Sequence, residues 1–513
     1  MQPILLIRRL LLVIVLTVMA AAASARYLDG QGGVQAGNNV YTAQVPYTMS
    51  GSTQVPVSTG LRVTKVSTSG TVGWTLDIAP PSGYTYVPET FTPDQSLLRL
   101  DAAGNIWAVT HVVTTSTPTR DAAEIYFISS SRVLLSSLNA NPGTNWAGRF
   151  YAYAGTLSGS PHLFVAGNKI ITQMPKVEEA EVQGFSYSSG GGISADSGSL
   201  LLTAPAPGIT MDVVMDDMAY DPQSNALIVS GVANSGVPNG SISYLTLTGI
   251  TVQSGWYSGP PSYFTESSLG AGPLADGGQA AGRPGTGFLS IDPNTGNATY
   301  VVDVQEMGVA DIGTDLIYGR ANRAPFGLEG ELMQGPSVDG GAYLQGSPTL
   351  SQLQAGTLAH APVAEMTDSS GNVEIVTLPL SVYSNGWTIA QLSGTNLATT
   401  NWSTPASVTD GITLVPVMLA QDAGGDILLV HTDQPGSEYD ATGVTAYTYT
   451  GTAIAGYGYY QAQYGASSAF AVFPTSISGN WVLTGPGLSG STEVPLFVGY
   501  TDWAATWSYF STN

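Results

Sequence analysis

From residue 315 to 332 the chain reads DLIYGRANRAPFGLEGEL, and with Asp311 just upstream this stretch gathers Asp311, Asp315, Arg320, Arg323, Glu329 and Glu331. Two arginines three positions apart offer a fork for a planar or tetrahedral oxyanion. Scarcity sharpens that reading: 14 of 513 residues are Lys or Arg, and none lies between Ala324 and Asn513. Arg283 stands upstream as a third cation, and Asp339, in GPSVDGGAYLQG, as a reserve carboxylate. The same residue types would also make a salt-bridge network that pins a long loop, and VDGG is an ordinary turn.

Other chemistry is hard to find. There is no G-x-S-x-G elbow and no H-E-x-x-H, and the four histidines (His111, His162, His360, His431) are not paired at metal-ligand spacing. GPGLSG (485–490) has the spacing of a dinucleotide fingerprint but precedes a strand rather than a helix. DPNTGN (292–297) lacks the rest of a calcium-ligand series. Cysteine is absent, which excludes disulfides, thiolate metal sites and attached haem. Sequons at Asn239, Asn297 and Asn401 are expected by chance in a chain so rich in Ser and Thr, and tyrosine stretches such as YGYYQAQYG (457–465) suit packing between sheets or stacking on sugars.

The elements that must position the charged stretch read as strands throughout, since Gly, Ser, Thr, Tyr and Val dominate and helix-period patterns are lacking. One phrase recurs: an apolar residue, Asp, a short turn, then apolar strand residues. It appears as LDAAGNIWAV (100–109), YDPQSNALIV (220–229), IDPNTGNATYVV (291–302), TDSSGNVEIV (367–376) and QDAGGDILLV (421–430), with degenerate copies VAGNKIITQ (165–173) and TSISGNWVLTG (475–485). Aligned on the turn, the spacings are 63, 57, 72, 75, 54 and 54 residues. Several copies precede a second strand pair, as in AEIYFISSSRVLLSS (123–137), GSISYLTLTGITVQSG (240–255) and GVTAYTYTGTAIAGYG (443–458), so each unit holds about four strands, the size of a propeller blade. The recurring Asp101, Asp221, Asp292, Asp368 and Asp422 read as turn residues. With Val40 to Thr90 as a further unit, the expectation is an all-β chain, a single quinoprotein-like β-propeller over 26–513 with eight blades, seven being the alternative. The 75-residue spacing points to an insertion around 303–365 that carries the charged stretch on one face.

Residues 1–25 read as a secretory signal peptide: Arg8 and Arg9, an apolar run and a small-residue cleavage pattern at Ala23 to Ala25. Export to the periplasm, cell surface or medium follows, with no later segment long enough to span a bilayer. Without that peptide, 12 basic residues face 36 acidic ones, a formal charge of −24. Such a charge disfavours nucleic acid and anionic membranes as partners. In acid the carboxylates protonate and few charges remain to repel, which suits an acidic medium.

Export signal, acid-suited composition, absence of cysteine, length and a quinoprotein-like propeller without an evident quinone site together resemble the tetrathionate hydrolases of acidophilic sulfur oxidisers. The resemblance covers the whole chain as a profile and rests on no short motif. It implies hydrolysis of tetrathionate to thiosulfate, sulfate and sulfur-rich products, a homodimer, no cofactor, a small inorganic oxyanion as substrate and an aspartate as acid–base group. Arg320 and Arg323, with Arg283, would then hold sulfonate oxygens. Asp315 or Asp311, with Asp339 in reserve, would activate water, an adjacent guanidinium keeping the carboxylate ionised in acid. Two other classes compete: a non-catalytic envelope propeller that binds protein or glycan, and a quinone-dependent dehydrogenase, disfavoured because its bound ion and polar shell cannot be located.

Overall fold

The computed structural model describes residues 33–50, 53–57, 60–86, 96–116, 121–140, 145–157, 159–173, 176–202, 212–221, 226–234, 243–251, 262–266, 279–282, 288–292, 294, 298–307, 314–324, 327–329, 360–379, 386–393, 400–407, 414–433, 442–454, 458–460, 471–489, 492–502 and 504–512. The expected leader and the positions of Arg283, Asp311, Glu331 and Asp339 lie outside them. Among the described residues there is no helix, and none therefore long and apolar enough to cross a membrane.

The strands assemble into eight sheets among these residues, most of them meanders of four antiparallel strands in chain order. Their first strands are Gly33–Ala36, Ser96–Leu100, Asn145–Leu157, Asp212–Asp221, Phe288–Ile291, His360–Thr367, Leu414–Gln421 and Ala471–Pro474. Each first strand packs on the next, and Ala471–Pro474 packs in turn on Gly33–Ala36. This circular succession of sheets makes the chain a β-propeller.

Burial on both faces explains the nearly continuous apolar strands. In Asn39–Gln44, Val40 packs with Ala471, Phe473, Val482 and Phe497 of the eighth sheet. Its neighbours Tyr41 and Ala43 pack instead with Leu98, Ile106 and Ala108 of the second. Leu98 faces back to the first sheet while Leu97 joins Leu163, Val165 and Phe185 of the third. The seventh sheet repeats the alternation, sending Ile427 and Leu429 toward the sixth sheet and Leu428 and Val430 toward the eighth.

Two ends of the chain share one sheet. The hairpin Tyr47–Ser50 and Thr53–Pro56 leaves the first sheet and pairs with Thr492–Thr501 of the last. Beside it, buried Arg62 grips Asp77 through Nε at 2.7 Å and Nη2 at 2.8 Å, and its Nη1 donates to the Ser511 carbonyl. Thr64 Oγ1 and Ser511 Oγ meet at 2.7 Å.

Several expectations change. VAGNKIITQ is no turn: residues 160–173 form one strand in which Asn168 pairs with Ala147 and Ala180. The hairpin of that sheet is at Leu157 to Ser160, where Gly159 takes φ +82°. The copy kept the Gly-Asn pair but lacked the Asp whose carboxylate closes the turn, and Lys169, Ile170 and Ile171 extend the strand. Within 240–255, residues 243–251 are a single strand. The stretch expected on an inserted loop is largely sheet as well, Thr314–Ala324 and Gly327–Glu329 being the last two strands of the fifth sheet.

Replacing Arg62 by Leu is expected to destabilise the protein by about 2–3 kcal/mol, because Asp77 and the Ser511 carbonyl lose a charged partner. Arg62→Lys should recover only part of this, since the fork is lost. An unchanged urea midpoint in Arg62→Leu would contradict this account of how the chain ends are fastened.

Candidate functional site

Among the described side chains, the recurring Asp101, Asp292, Asp368 and Asp422 are built into turns. Asp101 Oδ1 accepts from the amides of Ala103 and Asn105 at 2.9 and 2.8 Å, Asp368 Oδ1 from Ser370 and Asn372 at 2.7 and 2.8 Å, and Asp422 Oδ1 from Gly424 and Asp426 at 2.7 and 2.9 Å. Gly371 completes one such turn with φ +83°. The turns also touch one another across sheets. Asn294 Nδ2 donates to the Ser369 carbonyl, the Ser369 amide to Gln421 Oε1, and the Gly479 amide to Asp422 Oδ2. A belt of linked turns thus runs along one end of the fifth to eighth sheets. At the hairpins between third and fourth strands, hydroxyls do the same work: Ser67, Ser129 and Thr448 accept from the amides of Thr71, Val133 and Thr452. That second series, S-x-x-x-T/V or T-x-x-x-T, is equally present in the sequence but less conspicuous than the aspartates.

Two buried arginines are spent on structure. Arg62 fastens the chain ends, and buried Arg99 donates from Nε to the Ala152 carbonyl of the third sheet at 2.6 Å. Of the candidate site residues, Asp315, Arg320 and Arg323 all lie on Thr314–Ala324, opposite Val304, Thr299 and Leu328. In a regular strand, positions an odd number apart fall on opposite faces, so positions 315 and 323 share one face and position 320 takes the other. Asp311, Asp339 and Arg283 lie outside the described residues.

A polar cluster that sequence reasoning missed lies on the first strands of the fourth, fifth and sixth sheets. Ser290 Oγ donates to Glu365 Oε1 at 2.5 Å and is 2.5 Å from Thr367 Oγ1. Asp217 Oδ2 accepts from the Leu289 amide at 2.8 Å, tying the fourth sheet to the fifth. Asp217, Ser290 and Glu365 are partly exposed, whereas Thr367 is buried. Burial pushes the Glu365 carboxyl up to about 8; the Ser290 hydrogen bond draws it back and the Asp217 charge raises it further. In acid this carboxyl is neutral, so it can donate a proton but cannot take one from Ser290. The cluster is therefore a candidate acid, and Ser290 is not an activated nucleophile there. Its sequence signal is a glutamate inside an apolar strand, VAEMT.

Another acid, the buried Glu124, is pushed up to about 7, chiefly by burial. Among the described residues, no three His, Cys, Asp or Glu side chains gather as a metal site.

Both glutamates are raised from 4.5, so the folded state holds protons that the unfolded chain releases. The stability they confer is whole below the unfolded value and is lost as pH climbs through about 7 and 8. Melting temperature is expected to fall from acid toward pH ~9, and Glu124→Gln or Glu365→Gln to flatten part of that slope. A melting temperature that rises over this range would refute the assignment.

No known family model and no curated protein matches the chain. Similar solved structures include the Dos1 propeller, at 10% identity over 93% of this chain and 94% of that one with a TM-score of 0.44. A protein of unknown function from Dyadobacter fermentans has 12% identity over 72% of this chain and all of its own, 100%, with a TM-score of 0.35. Drosophila semaphorin 2a has 8% identity over 94% and 74%, with a TM-score of 0.37. Likenesses this slight add nothing about activity, and the chain's own sheets make it a β-propeller.

Proposed function

We propose that this propeller is an exported, acid-active hydrolase of a small sulfur oxyanion, tetrathionate being the substrate that the sequence resemblance implies. The observation that carries the reading is an interior furnished with carboxylic acids: Glu124, Glu365 and Glu374 are all raised by burial, in a chain whose few bases leave little charge in acid. Such an interior is at home where neutral carboxyls are the rule. In the proposed reaction, water and tetrathionate give thiosulfate, sulfate, a sulfur atom and two protons, which balances without an oxidant or cofactor. Arg320 and Arg323, and Arg283 beyond the described residues, are assigned to the sulfonate oxygens; Asp315, or Asp311 or Asp339, is assigned to the attacking water. Because 320 and 323 fall on opposite faces of their strand, each arginine is to be tested singly.

A second reading, a non-catalytic envelope propeller binding protein or glycan, is favoured by the commitment of the recurring aspartates, Arg62 and Arg99 to structural bonds. Thiosulfate release separates the two. The purified protein is expected to release thiosulfate from tetrathionate in acid, and Asp315→Asn or Arg323→Ala to lower kcat/KM about 100-fold or more with the melting temperature held. Folded protein that leaves tetrathionate intact would exclude the hydrolase, and variants that simply unfold would assign the charged strand to structure.

A further inference from the structure

The turn at Asp368 differs from its sister turns beneath the surface. Six residues after the turn aspartate stand Trp107 in the second sheet and Leu428 in the seventh, both fully buried and paired across the sheet with Phe127 and Ala446. In the sixth sheet the corresponding pair is Glu374 and Gln391, equally buried. A carboxyl and an amide thus occupy a place built elsewhere from core residues.

Their geometry ties them to the turn. Gln391 Nε2 donates to Glu374 Oε1 at 2.7 Å and to Asp368 Oδ2 at 3.3 Å, while Gln391 Oε1 accepts from Asn401 Nδ2 at 3.0 Å, which fixes which end of the amide faces the acids. Asp368 also accepts from two backbone amides and from Asn372 Nδ2 at 3.1 Å, the role of a carboxylate. Glu374 Oε2 is buried and accepts no hydrogen bond from the described residues. From this same turn, Ser369 reaches the fifth and seventh sheets through Asn294 and Gln421, and Asn372 Nδ2 donates to Tyr449 Oη of the seventh at 2.6 Å.

We propose that Glu374, Gln391 and Asp368 form a latch that fastens the fifth, sixth and seventh sheets along the turn belt and closes on a single shared charge. With a proton on Glu374 the pair carries one charge, and the turn sits closed. Loss of that proton places two carboxylates under one amide in a buried site, a cost large enough to displace the turn. Burial holds the Glu374 carboxyl well above its ordinary value, the Asp368 charge adds to this, Gln391 opposes it, and Glu365 adds a smaller push. Among the described side chains, the groups facing the pair are these acids and Tyr449, itself raised by burial with Asp368 and Glu374 contributing; Asp292 stands against Gly371 from the fifth sheet. No base is among them to neutralise a second charge. The latch does not depend on which substrate the propeller takes.

Thermal unfolding of the full chain as pH is raised from acid tests it. Glu374→Gln keeps the shape without the titrating proton and is expected to hold its stability to about one pH unit higher than wild type, with no change in acid. Should that variant not fold, Glu374→Leu combined with Gln391→Ala copies the seventh sheet's pair and is expected to show the same shift. A folded variant whose stability falls with rising pH as in wild type overturns the proposal. Hydrogen exchange on the wild type, corrected for intrinsic rates, provides an independent readout: residues 368–374 and 448–451 should lose protection before the other turns as pH rises, and simultaneous loss throughout would equally overturn it.

Discussion

The constraint on which the molecule depends is that, among the described residues, inner strands bury both of their faces. A strand such as Asn39–Gln44 sends alternate side chains into two different cores, Val40 toward the last sheet and Tyr41 and Ala43 toward the second. No sheet can bury its own apolar surface, so each is stable only between neighbours. Everything polar must therefore be placed at the ends of the sheets, at the first strands, or in pairs that satisfy one another inside. The aspartate turns take the first option and Ser290 with Glu365 the second, while Glu374 with Gln391 takes the third.

This division explains why the sequence was legible in some places and opaque in others. A turn made by one residue bonding to amides two and four positions on is a local event, and LDAAGN, TDSSGN and QDAGGD announced it. The false copy VAGNKIITQ shared the Gly and the Asn but not the Asp, and without its carboxylate the strand ran on. What a glutamate in VAEMT or NVEIV does is not local: its meaning comes from Ser290, 75 residues away, or from Gln391 on the next strand. Those signals were visible only as acids where the alternation calls for apolar residues.

The charged stretch 315–332 is a case between these. Its composition marked it as unusual, and the expectation of an inserted loop followed from spacing. Its first part belongs instead to the regular ladder of the fifth sheet, with Arg320 opposite Thr299. A strand imposes parity on its residues that a loop does not, so the two arginines are related by the sheet before any ligand is considered. The chemical reading survives as a proposal about individual residues rather than about a ready-made fork.

The shared sheet at the chain ends has a consequence for how the protein is made. Arg62 and Ser511 are separated by 449 positions, and Tyr47 finds its partner Glu493 only after all the intervening strands have been made. During synthesis the early sheets can form and stack, but the hairpin at 47–56 must wait beside an open edge for strands not yet made. An interrupted chain therefore cannot pass as a smaller version of the same protein. It carries an unmatched edge from its first residues onward, and completion of the last sheet is the single event that removes it.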